Sequence, residues 1–368
     1  MKKIAKLIFI TPLPPPVTGQ SLISQTLLEE LSKIYEITII DYSRDDIKPN
    51  TGFNISQLIR SIKLASVIKR DSYNADLLYL TLSMSFFGNL KDMFFLFRAG
   101  KRLRKRTIIH IHSGGFDKFY KRLFFINKII NKYFLGKVSK GIVLGKSLKK
   151  CLSQILPDNK IEYVPNFYDD KLLSSINDVN KKWNNIKKIN LLFLSNFIKE
   201  KGYIEFFEGY KLLPEEYKSK CNIVFAGKFD NEKDKELFFK KITLYKKIKF
   251  YNFIENEKKK EILFYSQALF LPTYYEIEGQ PVCILEAYAA GLTVFTTDQG
   301  GIGDIFTNGI NGEFLEKRSI LSIKDAIIRL IDNPGKFKTY ALNNRKAAEK
   351  YSKEIFIKKM LDIFNINN

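Results

Sequence analysis

Short apolar runs recur along the chain, each followed by a longer stretch in which apolar residues return every three or four positions. In the first half, Leu7–Ile10, Glu36–Ile40, Asp76–Leu80, Thr107–Ile111 and Lys140–Leu144 read as strands. Ile189–Leu194, Asn222–Ala226, Ile248–Phe253, Ala268–Leu271 and Leu292–Thr296 do so in the second. Ser21–Lys33, Tyr203–Leu212, Glu257–Tyr265 and Pro281–Ala290 read as helices between them. Strands that are apolar almost throughout must be covered on both faces, the condition of a parallel sheet flanked by crossover helices. Two successive sets predict an α/β protein of two doubly wound parallel-sheet, Rossmann-like domains.

The boundary shows as a change in pattern. Pro165-Asn166 is a turn signal closing the first set, and a stretch rich in Asn, Lys and Ser from Asp169 to Lys188 leads into the second. The expected domains are 1–168 and 169–349. No repeat of solenoid period is present. The tail from about Asn343 is helical in pattern, with Ala347, Ala348, Tyr351, Ile355, Ile357 and Met360 available for burial.

Composition agrees with two cored domains: 45% of the 368 residues are hydrophobic and 14% aromatic, which excludes a disordered chain. Charge adds something new. The formal net charge is +22, and residues 91–140 carry fourteen Lys or Arg against only Asp92 and Asp117. Such a window points to anionic partners: a phospholipid surface, a phosphorylated substrate or nucleic acid. Cys151, Cys221 and Cys283 stand apart, as in a reducing compartment without disulfides or a zinc site. The basic start Met1-Lys2-Lys3 resembles a signal peptide. The apolar run behind it is cut by Thr11-Pro12-Leu13-Pro14-Pro15-Pro16 without a cleavage site, so it reads as a first buried strand. No apolar stretch of transmembrane length is free of charge. The expectation is a cytoplasmic protein, with peripheral contact on the inner membrane face left open.

The segment carrying most chemistry runs from Pro272 to Gly291 and includes Glu278-Gly279-Gln280-Pro281 and Glu286-Ala287-Tyr288-Ala289-Ala290-Gly291. It follows a strand, Pro281 suits the first turn of a helix, and Glu286 falls about one and a half turns into that helix. A helix start at the carboxyl end of a parallel strand is an anion site, and carboxylates beside it suit sugar and ribose hydroxyls. By spacing alone, the pair describes a solvated, charged helix equally well.

The full pattern resembles glycosyltransferase family 4. That resemblance implies two domains facing a cleft, the GT-B arrangement, with 1–168 binding the acceptor, 169–349 binding a nucleotide-sugar donor, and a helix at about 350–368 packing back on the first. It implies that Glu278 contacts the donor sugar, that Glu286 binds the ribose, and that Gly279, Gln280 and Pro281 lie along the sugar. Asn196-Phe197-Ile198-Lys199-Glu200-Lys201-Gly202 is similar to the family's Gly-Arg-x-x-x-x-Lys-Gly segment. Lys201 takes the lysine position, where a cation meets the leaving diphosphate. Asn196 stands where many members carry Arg, so half of that charge is missing, and compensation by Lys199 is left open. Gly300-Gly301-Ile302-Gly303-Asp304 is similar to the family's Gly-Gly-x-Pro-Glu loop, which carries Gly300 and Gly301 over better than Asp304.

In the first half, Gly19 matches a loop that roofs the donor phosphates. Read without the family, this is a rigid strand-to-helix connection that Ser21 caps. The protein's two histidines, His110 and His112, share one face of a strand and have no acidic or sulfur partner for a metal. The family's sugar-contacting histidine falls best on His112, with His110 as the alternative. The resemblance implies retention of configuration without a metal or other cofactor. Its acceptor is a lipid-linked or oligosaccharide precursor of a bacterial surface polysaccharide, and a UDP-sugar is the expected donor. A catalytically weakened donor-binding or scaffold subunit and a nucleotide-sugar epimerase are the alternatives. The basic, aromatic-rich window 91–140 suits an anionic membrane interface, or else a solvated face. No nucleic-acid module accompanies it.

Overall fold

The computed structural model describes residues 4–43, 55–243, 245, 247–252, 254 and 256–365. Met1, Lys2 and Lys3 of the basic start, and Phe253 at the end of one expected strand, lie outside the described residues. Two compact units emerge: Met1–Asn166 together with Phe356–Asn368, and Phe167–Ile355.

The first unit holds β1 (Lys6–Thr11), α1 (Gly19–Leu31), β2 (Glu36–Asp41), α2 (Ile55–Asp71), β3 (Leu77–Thr81), α3 (Phe86–Arg104), β4 (Thr107–His110), α4 (Phe116–Arg122), α5 (Phe125–Leu135), β5 (Lys140–Val143) and β6 (Ile161–Tyr163). The six strands form one parallel sheet in the order β2-β1-β3-β4-β5-β6. Its centre is buried throughout: every residue of β3 and β4 is covered, as continuous apolar runs require. Thr18, not Ser21, is the N-cap of α1. Its hydroxyl accepts from Ser21 N (3.0 Å), and Ser21 Oγ accepts from Thr18 N (2.8 Å), a reciprocal cap that satisfies two orphan helix-end donors.

The second unit holds α6 (Ile176–Asn184), β7 (Ile189–Leu194), α7 (Tyr203–Lys211), α8 (Glu215–Lys220), β8 (Cys221–Ala226), α9 (Glu232–Ile242), β9 (Ile248–Tyr251), α10 (Asn256–Tyr265), β10 (Ala268–Leu271), α11 (Val282–Ala289), β11 (Thr293–Thr296), β12 (Gly312–Phe314), α12 (Ile320–Asp332) and α13 (Pro334–Ala348). The sheet is again all parallel, in the order β12-β11-β10-β7-β8-β9. Chain order reverses between β7 and β10, the switch point at which crossover connections part and a ligand crevice opens beyond the strands' carboxyl ends. The loops after β7 and β10 carry Lys201 and Glu278.

The last helix, α14 (Lys353–Asn365), begins at the end of the second unit and continues into the first. It buries Phe356, Met360, Ile363 and Phe364, with the Phe364 ring 5.8 Å from Tyr79 and 6.2 Å from Tyr35. Ile355 and Ile357, expected to be buried, are half-buried, because the covered stripe follows Phe356 and Met360 at a spacing of four.

Candidate functional site

The site of the second unit is built where two loops meet. After β7 the chain makes one tight turn, Lys199–Lys201, and enters α7 through Gly202 at φ +84°. A side chain at Gly202 would place its Cβ 2.4 Å from the Pro272 carbonyl oxygen, so only glycine allows this loop so near the loop after β10. The two are stitched by Tyr274 N donating to Glu200 O (2.7 Å), with Thr273 Oγ1 3.3 Å from the same oxygen.

That closeness creates the central ion pair. Lys201 Nζ donates to both oxygens of Glu278, at 2.8 and 2.6 Å, and Thr273 Oγ1 donates to Glu278 Oε2 at 3.0 Å. Glu278 is 5% exposed, so its charge is sustained by these partners rather than by water. Gly279, Gln280 and Pro281 are buried beside it, and Pro281 is the N-cap of α11 rather than a residue of its first turn. Across from them, Gly301 N donates to Gly279 O (2.9 Å), and Gln299 Nε2 donates to Tyr275 O (2.9 Å), fixing the glycine loop on the Glu278 segment.

Glu286 lies within α11, 5% exposed, and is ion-paired with Lys259 from α10. Burial works against the Lys259 charge, but the carboxylate of Glu286 outweighs it and holds the Lys259 pKa above its usual value. Cys283 shows that the pieces form one cluster. Burial pushes its thiol up to about 12, with the charges of Lys201, Glu286, Glu278 and Lys259 all acting on it. The structure thus brings Lys201, Glu278, Gly279, Gln280, Pro281, Glu286, Gly300 and Gly301 to one end of the sheet. Asn196 is in the same loop as Lys201 and is exposed; Lys199 turns away to pair with Asp234 at 3.1 Å, so it does not stand in for a missing arginine.

Lys259, Thr273 and Gln299 were given no role from sequence. For Lys259 a signal existed: it shares a helical face with the buried Ile262 and Leu263, an unusual place for a lysine without a buried carboxylate to meet. Lys259→Met should leave the Glu286 carboxylate without its partner, costing about 1–3 kcal/mol of stability. A lower urea midpoint together with weaker nucleotide binding is the expected reading; unchanged values for both would contradict it.

Gly19 and the histidines belong to the first unit. Gly19 is the exposed first residue of α1. His110 ends β4 fully buried, with Nδ1 2.7 Å from Tyr79 Oη. His112 lies just past the strand, half-buried, its ring 3.9 Å from that of His110 and neither nitrogen hydrogen-bonded. Both His112 nitrogens are sealed from solvent, whereas His110 has one nitrogen bonded and one not.

Burial lowers the His112 pKa to about 3 and puts His110 well below its usual value, and the two rings would repel if both were protonated. Both rings are neutral when folded near neutral pH, while in the unfolded chain they take up protons below about pH 6.5. The unfolded state then binds more protons, so stability is lost as pH falls through that window, by up to about 1.4 kcal/mol per pH unit for each ring. Urea unfolding followed from about pH 7 to about pH 5 should show this slope, and His112→Asn should flatten it by one ring's share. An identical slope in the variant would exclude a neutral, buried His112.

Among the described residues no group of three or more His, Cys, Asp or Glu is placed to hold a metal ion, and no helix is long and apolar enough to cross a membrane.

Comparison with known proteins adds to this geometry. Residues 176–354, nearly the whole second unit, match the family model of glycosyl transferases group 1. The chain is 26% identical over 295 residues to the uncharacterized glycosyltransferase MJ1069 of Methanocaldococcus jannaschii, covering 77% of this chain and 72% of that one. It is 23% identical over 299 residues to the 2-deoxystreptamine N-acetyl-D-glucosaminyltransferase of Niallia circulans, covering 76% and 73%. In structure it is similar to HepE of Anabaena in complex with UDP and glucose, with a TM-score of 0.74 at 14% identity over 98% of this chain and 99% of that one. It is also similar to WaaG, a glycosyltransferase of lipopolysaccharide biosynthesis, with a TM-score of 0.69 at 15% identity over 97% and 99%.

Proposed function

We propose that this chain, a glycosyltransferase with the GT-B fold, transfers a sugar with retained configuration from a UDP-sugar to a lipid-linked or glycan acceptor, in building a bacterial surface polysaccharide. The observation that carries the reading is the buried Lys201–Glu278 pair beside Glu286, at the switch point of a sheet whose strand order is that of dinucleotide-binding folds.

In this reading Lys201 meets the diphosphate as negative charge builds on it during departure. Glu278 accepts from the sugar hydroxyls, with the buried backbone of Gly279 and Gln280 alongside. Glu286, held in place by Lys259, accepts from the ribose hydroxyls. Gly300 and Gly301 close the floor on which Glu278 rests. His112 and Gly19 lie in the first unit, which in this reading binds the acceptor. No metal is needed where a lysine neutralises the leaving group.

The first unit carries the support for a membrane-borne acceptor. Phe124, Phe125 and Ile126 are 73%, 79% and 67% exposed at the start of α5, beside Lys121, Arg122 and Lys128. Exposed aromatics flanked by cations suit the interface of an anionic inner leaflet, where such a protein binds from the cytoplasmic side.

The test is release of nucleoside diphosphate from a panel of UDP-, GDP- and dTDP-sugars, with and without EDTA, and binding of each donor to the same samples. Release from one UDP-sugar, unaffected by EDTA, is expected. Absence of both binding and release across the panel would sink the reading. Co-sedimentation with anionic but not neutral vesicles, weakened by Phe125→Ser, checks the membrane contact.

A further inference from the structure

The first unit contains an apolar cavity of about 1180 Å3 whose wall includes none of the second unit's site residues, though Thr18 and Gln20, on either side of Gly19, line one edge of it. One end lies at the carboxyl ends of β1, β2 and β3, lined by Pro12 and Leu13, Tyr42 and Ser43, and Ser83 and Ser85. In the order β2-β1-β3 the chain leaves β1 on one side and returns on the other. This is the second switch point of the molecule, and a place where open α/β sheets bind ligands. From there the cavity runs out between α2 and α3, over Leu58, Ile62, Phe87, Leu90, Phe94 and Phe97. These side chains are 36–59% exposed, although six large apolar residues at one helix pair would ordinarily be covered.

The cavity is polarised. Its wall holds two charged side chains among the described residues, Arg60 and Lys91, both cationic. Both have partners at the strand end. Arg60 donates to the carbonyls of Ser43 (2.6 Å) and Asp41 (3.2 Å). Lys91 pairs with Asp92 at 2.8 Å and sits 3.4 Å from the centre of the Tyr42 ring. Toward α2 and α3 the lining turns to phenylalanine, leucine and isoleucine. The volume exceeds the roughly 300–1,000 Å3 of sites for drug-sized molecules. A ligand matching this wall has an anionic head and a long hydrocarbon chain.

We propose that this cavity is the seat of the acceptor lipid, with a phosphate-bearing head beside Arg60 and Lys91 and the first part of its hydrocarbon chain between α2 and α3. The proposal rests on the reading of the chain as a transferase acting on a lipid-linked acceptor, and it assigns that acceptor a place. It differs from the vesicle contact at α5 in taking one chain into the fold rather than resting on a lipid surface.

The experiment measures binding of hexyl, octyl and decyl phosphate by calorimetry, each below its critical micelle concentration, against inorganic phosphate and decyl maltoside. Affinity should rise about fourfold with each added methylene, as burial of the chain in an apolar site requires. Inorganic phosphate should not bind measurably, and the uncharged decyl maltoside should bind more weakly than decyl phosphate. Phe87→Ser and Phe97→Ser, both at substantially exposed positions that folding tolerates, should each weaken decyl phosphate binding about tenfold. UDP binding, measured on the same samples, should stay unchanged and reports an intact second unit. Affinity independent of chain length, or equal for charged and uncharged heads, would overturn the proposal. So would a concentration-dependent dimer that Phe97→Ser disperses while decyl phosphate binding is unaltered, since a second copy would then be the occupant. Donor turnover without chain-length-dependent binding would reject the cavity but leave the transferase reading standing. Chain-length-dependent binding without donor binding would do the reverse.

Discussion

Lys201→Ala should lower release of nucleoside diphosphate from the donor by about 100- to 1,000-fold, the cost of removing one preorganised group from a developing negative charge. Lys201 has the means to act this way: its side chain is 12% exposed, and both of its short contacts go to a carboxylate that is itself nearly sealed from water. The ammonium is thus already desolvated and aimed. A diphosphate arriving there replaces or shares a partner, rather than ordering a free side chain. The alanine also leaves the buried Glu278 carboxylate with the Thr273 hydroxyl in place of an ammonium, so donor binding should weaken together with turnover. Lys201→Arg, which keeps the charge but changes its shape, should recover part of the loss. Steady-state release measured beside a urea unfolding curve separates chemistry from stability. Wild-type turnover in a folded Lys201→Ala protein would remove the lysine from the mechanism.

Gly300→Ala should reduce kcat/KM by about 100-fold through geometry alone, since displacements of about 1 Å at a site cost that much. Gly300 adopts φ +60°, and a Cβ there would stand 2.0 Å from the Glu278 carbonyl oxygen. Backbone cannot yield as a flexible side-chain tip does, so the Glu278 segment or the glycine loop must move. Gly303→Ala, three residues on, is the matched control. Its Cβ would meet only Asp298 Oδ1, at 3.3 Å, and its backbone is not left-handed, so its activity should stay near that of the parent. Equal losses in both variants would point to general disturbance of the loop; no loss at Gly300 would show that the loop does not bear on the donor site.

Much of the local structure was legible from pattern. Four-to-six-residue apolar runs gave ten strands; β7 and β10 match at both ends, and the others differ by at most two residues at either end. The two that escaped, β6 and β12, have three residues each, too few to show a period. Ser21 was expected to cap α1, yet its neighbour Thr18 takes that place, because either hydroxyl fits a pattern that only the backbone turn resolves. The acidic loop stood out as well, through Gly279, Pro281 and Glu286 around Glu278. Lys259, one of three consecutive lysines, stood out less: its spacing to Ile262 and Leu263 was the signal, and the carboxylate it meets shows only once α10 reaches α11.

Periodicities of two and three and a half residues are local, and so are turn and cap preferences; a sequence carries them wherever the segment ends up. By itself, this one therefore determined the alternation of strand and helix and the loop that presents Glu278 and Glu286. Only the tertiary structure decided which charges meet. Lys201 and Glu278 are 77 residues apart, and they pair because β7 and β10 are neighbours in the sheet. The same holds for the apolar residues of α2 and α3. Their exposure follows from what packs around them, and packing between distant segments is what no local pattern encodes.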